Sequence, residues 1–267
     1  MPESYLLLSS PPHADVNVAG IAPVFELTPA EARVKVNYPA ATIWFAGEDL
    51  PFLQQVAQKL QSCGASVRLI KGKSLTVLTR RHRFRRFAFD DSGLRCWVDD
   101  KRAVDIPFSW SVRIISCRPM ATESYQRQTL RQTVKAANRN KSMRQEAKSS
   151  LTSIREPVDE TFVDFYFAQL PKVHRFTTRP GDTDFSGLGA TMKHSVNENI
   201  AELIAQLNAR FSEVTHSKTL ENLPAPRAAL IGHRSLGTIL DDIEGGLSTM
   251  DPYDLMSRLS FLAQAGK

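Results

Sequence analysis

The most chemically distinctive stretch of the 267-residue sequence is a run of arginines between positions 80 and 86. Arg80-Arg81-His82-Arg83-Phe84-Arg85-Arg86 places five arginines and one histidine around an aromatic ring. Guanidinium groups bind phosphate through two parallel hydrogen bonds and stack on flat rings, so this run is typical of a contact with nucleic acid or with an acidic protein. The alternative is a solvated strand end whose arginines face the acidic turns Asp90-Asp91 and Asp99-Asp100. The sequence leaves both interpretations open.

A second basic stretch occupies residues 119–157. Its cationic side chains recur every four residues, at Arg127, Arg131, Lys135 and Arg139, and apolar residues are few. Positions four apart share one broad face of a helix, and such a face can follow a phosphate backbone or lie against anionic lipid. The competing interpretation is a solvated helical or disordered linker. In either case we predict a domain boundary here.

The sequence contains no recognisable catalytic or metal-binding motif. The segment Asp184-Phe185-Ser186-Gly187-Leu188-Gly189 lacks the Lys-Ser/Thr pair of a phosphate-binding loop and indicates a turn. The histidines are scattered without an HExxH pair, and Cys63, Cys96 and Cys117 form no CxxC pair. Catalysis needs convergent titratable groups, which the sequence does not display. We therefore predict a protein that is not an enzyme and that holds no cofactor or metal.

Composition restricts the partners and the location. The net charge of +6 and the isoelectric point near 9.3 point toward acidic partners such as nucleic acid, an anionic membrane face or another protein. No run approaches the roughly 20 apolar residues of a membrane span, and residues 5–8 are too few for a signal-peptide core. We predict a cytoplasmic protein without a transmembrane segment, in an oligomeric state that the sequence does not define.

Residues 1–72 alternate strand and helix patterns. Strand-like runs fall at residues 5–8, 42–45 and 65–70, and Thr28-Pro29-Ala30-Glu31 has the form of a capping box that starts a helix. Asp49-Leu50-Pro51 opens another helix, whose apolar stripe comprises Phe52, Leu53, Val56, Ala57 and Leu60. The predicted order is βααβαβ, a small α+β sandwich.

Two phrases in this segment carry a family resemblance. Tyr38-Pro39-Ala40-Ala41 leads to Glu48-Asp49, and Leu60-x-x-Cys63-Gly64-Ala65-x-Val67 joins the last helix to the last strand. Residues 4–72 thereby resemble the C-terminal domain of the bacterial ribosomal stalk protein and the ClpS adaptor family of the same fold. The resemblance implies a protein-binding fold without catalysis. ClpS proteins read amino-terminal degrons through an Asn-Asp pair after the first strand, whereas this sequence has Ser9-Ser10-Pro11-Pro12, so degron recognition does not carry over.

Residues 73–118 read as a β meander. Strand-like runs at residues 75–78, 86–89, 94–98 and 112–115 are separated by hairpin turns at residues 90–93 and 99–101. This order of strands and turns, with Ile106-Pro107-Phe108 before the last strand, weakly resembles part of a bacterial pleckstrin-homology-like meander.

Residues 158–267 are predicted to form a C-terminal α+β domain that folds separately from residues 1–118. Strand-like runs at residues 162–167 and 173–176 come first, and Ser195-Val196-Asn197-Glu198 has the form of a second capping box. The helix that follows presents Leu203 and Leu207 to a core. A further helix starts at Asp251-Pro252, with Leu255, Leu259 and Leu262 on one face.

Two functional hypotheses remain at this point. The leading one is a non-enzymatic protein–protein interaction or assembly component of a bacterial-type cytoplasmic complex. The alternative is a nucleic-acid or ribosome-associated factor that uses the arginine-rich surface. Neither the partner nor the biological process follows from the sequence.

Overall fold

In a computed structural model of the chain, the described residues are 3–13, 15–78, 81–99, 101–118, 162–178, 181–221, 223 and 252–264. They combine helices with three β-sheets, which confirms the predicted α+β class. Within these ranges no helix is both long and apolar enough to cross a membrane. The predicted basic stretch, with Arg127, Arg131, Lys135 and Arg139, lies outside the described residues.

The first layer of the fold is a three-stranded antiparallel sheet in the order β2-β1-β3. Its elements are β1 (Tyr5–Ser9), α1 (Val18–Ile21), a 3-10 helix (Ala22–Phe25), α2 (Pro29–Val36), β2 (Ile43–Gly47), α3 (Leu50–Ser62) and β3 (Val67–Lys71). This is the predicted succession of strands and helices. Leu7, Trp44 and Leu60 are buried where the helices cover one face of the sheet.

A second, three-stranded sheet is a meander with strand order β5-β6-β7. Residues 73–118 as a whole form α4 (Lys73–Val77), β4 (Arg81–Arg83), β5 (Arg86–Phe89), β6 (Gly93–Trp97), β7 (Ala103–Pro107) and β8 (Ser111–Arg118). The strand predicted at residues 75–78 is wrong, because Lys73–Val77 is helical and Leu75 is buried against β1 and β2. Strands β4 and β8 also leave the predicted meander and join the third sheet.

The third sheet has five strands in the order β11-β8-β9-β10-β4. The later part of the chain supplies β9 (Phe162–Gln169), β10 (Lys172–Thr178), a 3-10 helix (Phe185–Thr191), α5 (Val196–Arg210) and β11 (Glu213–Glu221). Strand β8 lies between β9, to which it is antiparallel, and β11, to which it is parallel. Strands from both sides of the predicted boundary therefore share one ladder, and residues of both predicted units, 1–118 and 158–267, contribute to the same sheet.

Helix α6 (Pro252–Gln264) lies between the first and third sheets. Leu255 and Leu259 pack against the β1 and β2 side chains, while Met256 and Phe261 pack against the five-stranded sheet. Because α6 touches sheets on both sides, residues on its polar stripe are buried too, and Arg258 is only 4% exposed. The last helix thus connects the first 72 residues to the rest of the fold.

The other face of the five-stranded sheet is covered by the meander and by α5. Phe165, Phe167 and Phe176 form the centre of this core together with Leu203 and Leu207. Both leucines are fully buried, as the apolar stripe of α5 predicts. The edge where the meander meets β10 and β4 creates the cleft described below.

Candidate functional site

The predicted arginine run does not form one continuous strand. Strand β4 ends at Arg83 and β5 begins at Arg86, with Phe84 turned into the core at 1% exposure. Arg81 is mostly buried, and its guanidinium lies 3.3 Å from the Asp164 carboxylate and 3.4 Å from that of Asp254. Arg81 is accordingly a structural partner of two carboxylates and not a surface contact.

The remaining described arginines of the run, Arg83, Arg85 and Arg86, are exposed. Arg83 lies 3.8 Å from Asp182, and the Arg86 guanidinium lies 4.2 Å from the centre of the Trp97 ring. Arg80 lies outside the described residues.

Two of the acidic turn residues proposed as partners of these arginines are engaged locally. Asp90 accepts hydrogen bonds from the backbone amides of Ser92 and Gly93, both at 2.8 Å. The Asp99 carboxylate accepts a 2.6 Å hydrogen bond from Arg102 Nε. These carboxylates shape their own hairpins and do not neutralise the arginine run.

A buried ionic cluster connects α6 to strands β4, β9 and β10. We define it by its charged members Arg81, Asp164, Arg175, Asp254 and Arg258. One Arg175 nitrogen donates to Asp164 and to Asp254, each at 2.6 Å, and Arg258 donates to Asp254 at 2.6 Å. Asp164 and Arg175 are at most 1% exposed, so solvent does not weaken their attraction.

Hydroxyl groups complete the bonding of Asp164. Ser257 Oγ donates to Asp164 at 2.6 Å and lies 2.9 Å from the Tyr166 hydroxyl, while Thr177 Oγ1 donates to the other carboxylate oxygen. Burial alone would raise the pKa of Asp164, but the charges of Arg175 and Arg81 and these hydrogen bonds outweigh it and hold the pKa below its ordinary value. Asp164 is therefore ionised at neutral pH. The buried ionic cluster anchors α6 to strands β4, β9 and β10.

Next to this anchor lies an open cleft of about 600 Å³ between the meander and the edge of the five-stranded sheet. We call it the basic cleft. The meander contributes the β6–β7 turn and the start of β7, and the sheet contributes β4, β10 and the residue that follows α4. Its lining residues are Leu78, His82, Val98, Lys101, Arg102, Ala103, Val104, Val173, His174 and Arg175.

The described lining of the basic cleft combines cationic and apolar side chains without a carboxylate. Lys101 and Arg102 are exposed at its rim, and Arg102 forms an ion pair with Asp99. The two imidazoles are held by ring contacts, since His174 stacks on Trp110 at 5.6 Å and His82 lies 5.4 Å from the Phe176 ring. Such a lining favours a ligand that carries both negative charge and apolar groups.

The residues of the basic cleft cannot be recognised as a group from the sequence, for a physical reason. In the sequence, His82 belongs to the arginine run, and His174 is one of several scattered histidines. They come together because β4 pairs in parallel with β10, with His82 opposite Phe176, two residues beyond His174. A pairing between strands about 90 residues apart leaves no local signal in the sequence.

A second depression is lined by Arg83, Arg85 and residues 181–184. Residues 181–184 lead into the segment 184–189 predicted as a turn, most of which is the start of a 3-10 helix. Asp182 and Asp184 share this lining, and the Asp184 carboxylate accepts the Ser186 amide at 2.9 Å. The opposite charges balance, so this depression favours an anion less than the basic cleft does.

One serine–histidine contact joins residues that are far apart in the sequence. Ser116 Oγ lies 2.8 Å from His216 Nε2, where β8 and β11 run side by side, and burial lowers the pKa of His216. Ser116 is only 4% exposed, and no described carboxylate hydrogen-bonds to His216 to orient it as a base. The pair lacks the access and the third group that nucleophilic catalysis uses.

In the described part of the chain, no three His, Cys, Asp or Glu residues converge as metal ligands. The comparisons of the chain with protein-family models, with curated proteins and with solved structures each gave no match. The geometry of the basic cleft is therefore the basis for a functional proposal.

Proposed function

We propose that this chain is a non-enzymatic binding protein that docks an acidic segment of a partner protein in the basic cleft. The observation that carries the proposal is the lining of that cleft, in which Lys101, Arg102, His82 and His174 accompany apolar side chains. A cationic rim attracts a carboxylate-bearing segment, and the apolar floor packs against the aliphatic stems of its side chains and removes them from water. A cytoplasmic location and a role in assembling a larger complex belong to the same proposal.

Two further observations support a protein partner over nucleic acid. Leu78, Val98, Val104 and Val173 contribute apolar surface that phosphates cannot use. Proteins that bind single strands commonly stack bases on exposed aromatic rings, whereas the rings nearest the imidazoles of the basic cleft, Trp110 and Phe176, are buried. The resemblance of residues 4–72 to a protein-binding fold agrees with this choice.

A nucleic-acid partner is the second candidate because of one other surface. The Arg86 guanidinium lies over the Trp97 ring on the outer face of the meander, and Arg86 follows the exposed Arg83 and Arg85 in the sequence. Arginine and tryptophan together suit a phosphate backbone with a stacked base.

The test compares two probes by fluorescence anisotropy with the full chain. One is a labelled peptide of about ten residues that alternates Glu and Val, and the other is a single-stranded oligonucleotide of similar charge. We expect the peptide to bind and the double variant Lys101→Glu/Arg102→Glu to weaken it at least about tenfold.

The matched control reverses two exposed lysines that do not line the basic cleft, Lys59→Glu/Lys193→Glu. It changes the net charge equally, so peptide binding by this variant should stay near that of the unmodified protein. If both variants lose peptide affinity equally, the effect reflects the net charge of the protein and not the basic cleft. Binding of the oligonucleotide alone, lost on Arg85→Glu/Arg86→Glu, would overturn the proposal in favour of the nucleic-acid candidate.

A further inference from the structure

The basic cleft is bordered by the free edge of a β-strand. Strand β7 is the last strand of the meander, whose order is β5-β6-β7, and Ala103 and Val104 line the cleft. Within the described residues, the ladder partner of β7 is β6 alone. Edge strands of this kind present unpaired backbone groups that can pair with another chain.

The register shows which backbone groups point outward. The Val98 amide donates to the Arg102 carbonyl at 2.9 Å, and the Phe108 amide donates to the Ser92 carbonyl at 3.3 Å. Hydrogen-bonded and non-hydrogen-bonded pairs alternate along an antiparallel ladder. Cys96↔Val104 and Leu94↔Ile106 are therefore the bonded pairs, and Ala103 and Asp105 direct their N–H and C=O groups away from β6.

The outward groups of Ala103 and Asp105 have no backbone partner among the described residues. The strand ends at Pro107, which has no N–H, so the open stretch is short and one end is blocked. A short edge of this type accepts a few residues of an extended peptide and resists longer association.

The charge around β7 differs between its two faces. On the cleft side an added strand would meet Arg102 and Val104, with Lys101 and the two imidazoles close by. On the outer face it would meet Asp105, which binds Arg95 at 2.6 Å. Acidic side chains are therefore favoured on the cleft side and disfavoured on the outer face, which selects a segment with acidic residues at alternate positions.

Resting on the proposed function, we propose that the acidic partner segment binds as an extended strand added to the outer edge of β7. Its backbone pairs with the outward N–H and C=O groups of Ala103 and Asp105. Its alternate carboxylates point into the basic cleft toward Lys101 and Arg102. Affinity then comes from main-chain hydrogen bonds, and specificity comes from the alternating charge.

The experiment separates backbone pairing from charge by using N-methylated probes. Two versions of the Glu–Val peptide are made, one methylated on the odd backbone amides and the other on the even ones. Only one set of amides faces β7 in an added strand, so one version should lose binding at least about tenfold and the other should not. Equal binding by both versions would overturn strand addition.

A variant of the chain tests the same contact from the other side. Ala103→Pro removes an outward N–H that takes no part in the β6–β7 ladder, so the fold should persist, as circular dichroism can verify. Ala103→Val keeps the N–H and is the control. We expect Ala103→Pro to weaken the unmethylated peptide and Ala103→Val to leave it unchanged. If Ala103→Pro misfolds, the methylated peptides still decide the question.

The outcomes for the two proposals are distinguishable. If peptide binding depends on Lys101 and Arg102 but is unchanged by amide methylation and by Ala103→Pro, that result supports the proposed function and rejects the added strand. Absence of peptide binding to the unmodified protein rejects both.

Discussion

At the scale of single residues, burial decides what each charged side chain does. Arg81 and Arg83 are two positions apart on β4, yet Arg81 joins the buried ionic cluster while Arg83 is exposed. Asp164 illustrates the cost of such burial, because two arginines and two hydroxyl groups are needed to bind one carboxylate away from water. The sequence could reveal the arginines but not the carboxylates that hold them.

Removing one member of this cluster should be costly. Asp164→Ala leaves the buried charges of Arg81 and Arg175 without one of their carboxylate partners. We therefore expect the free energy of unfolding to fall by about 3 to 5 kcal/mol. Denaturant unfolding followed by circular dichroism measures the loss. The matched control is Asp105→Ala, which breaks the exposed ion pair with Arg95 and should cost no more than about 1 kcal/mol. Similar losses in the two variants would mean that the cluster does not anchor the fold.

His13 makes stability depend on pH near neutrality. Its Nδ1 accepts the Ser66 amide at 3.0 Å, its ring lies 5.2 Å from that of Trp44, and burial lowers its pKa. Because the folded pKa lies below the ordinary value of about 6.5, the unfolded chain binds the proton more readily. The stability contributed by neutral His13 is present above that value and is lost as the pH falls through it toward the folded pKa.

The His13→Asn variant isolates this contribution. An asparagine oxygen can still accept the Ser66 amide but does not titrate. We expect the unmodified protein to lose more unfolding free energy than the variant when the pH falls from about 7.5 to about 5.5. His216, whose pKa is also lowered, contributes equally in both proteins. Parallel stability curves for the two proteins would contradict the assignment.

At the scale of helices and strands, local signals predicted those elements whose stabilising contacts are local. The Thr28 capping box is present in full, with the Glu31 amide bound to Thr28 Oγ1 and the Thr28 amide bound to the Glu31 carboxylate. Ser195 has the same sequence signature, but its side chain makes no capping hydrogen bond. Instead, the Asn199 side chain accepts a hydrogen bond from the Lys193 amide and donates one to the Lys193 carbonyl. The capping motif does not predict this arrangement.

The apolar stripe of α5 gives a prediction at this scale. Leu203 is fully buried against the five-stranded sheet, so Leu203→Ala should lower the free energy of unfolding by about 2 to 5 kcal/mol. Val34 on α2 is 75% exposed, and Val34→Ala should change stability by no more than about half a kcal/mol. A loss below that level for Leu203→Ala would mean that the stripe does not pack against this core.

At the scale of the whole molecule, strand pairing joins segments that the sequence assigned to separate units. Polar composition between residues 119 and 157 favoured a linker between domains, but β8 before it and β9 after it are neighbours in one sheet. Helix α6 adds a second connection, since Leu259 packs near β1 while Met256 packs on the five-stranded sheet. The basic cleft has the same origin, because it exists only where the meander meets β4 and β10.

Cutting the chain provides the test of this architecture. A site-specific protease sequence inserted between Asn138 and Arg139 divides the chain between β8 and β9. We expect the two fragments to stay together in gel filtration under native conditions, because β8 is held between β9 and β11 and α6 packs against β1. The same cut in a chain that ends before residue 252 should release the fragments more readily, since the contacts of α6 are missing. Two folded fragments that elute separately from the cut full-length chain would instead support two independently folding units.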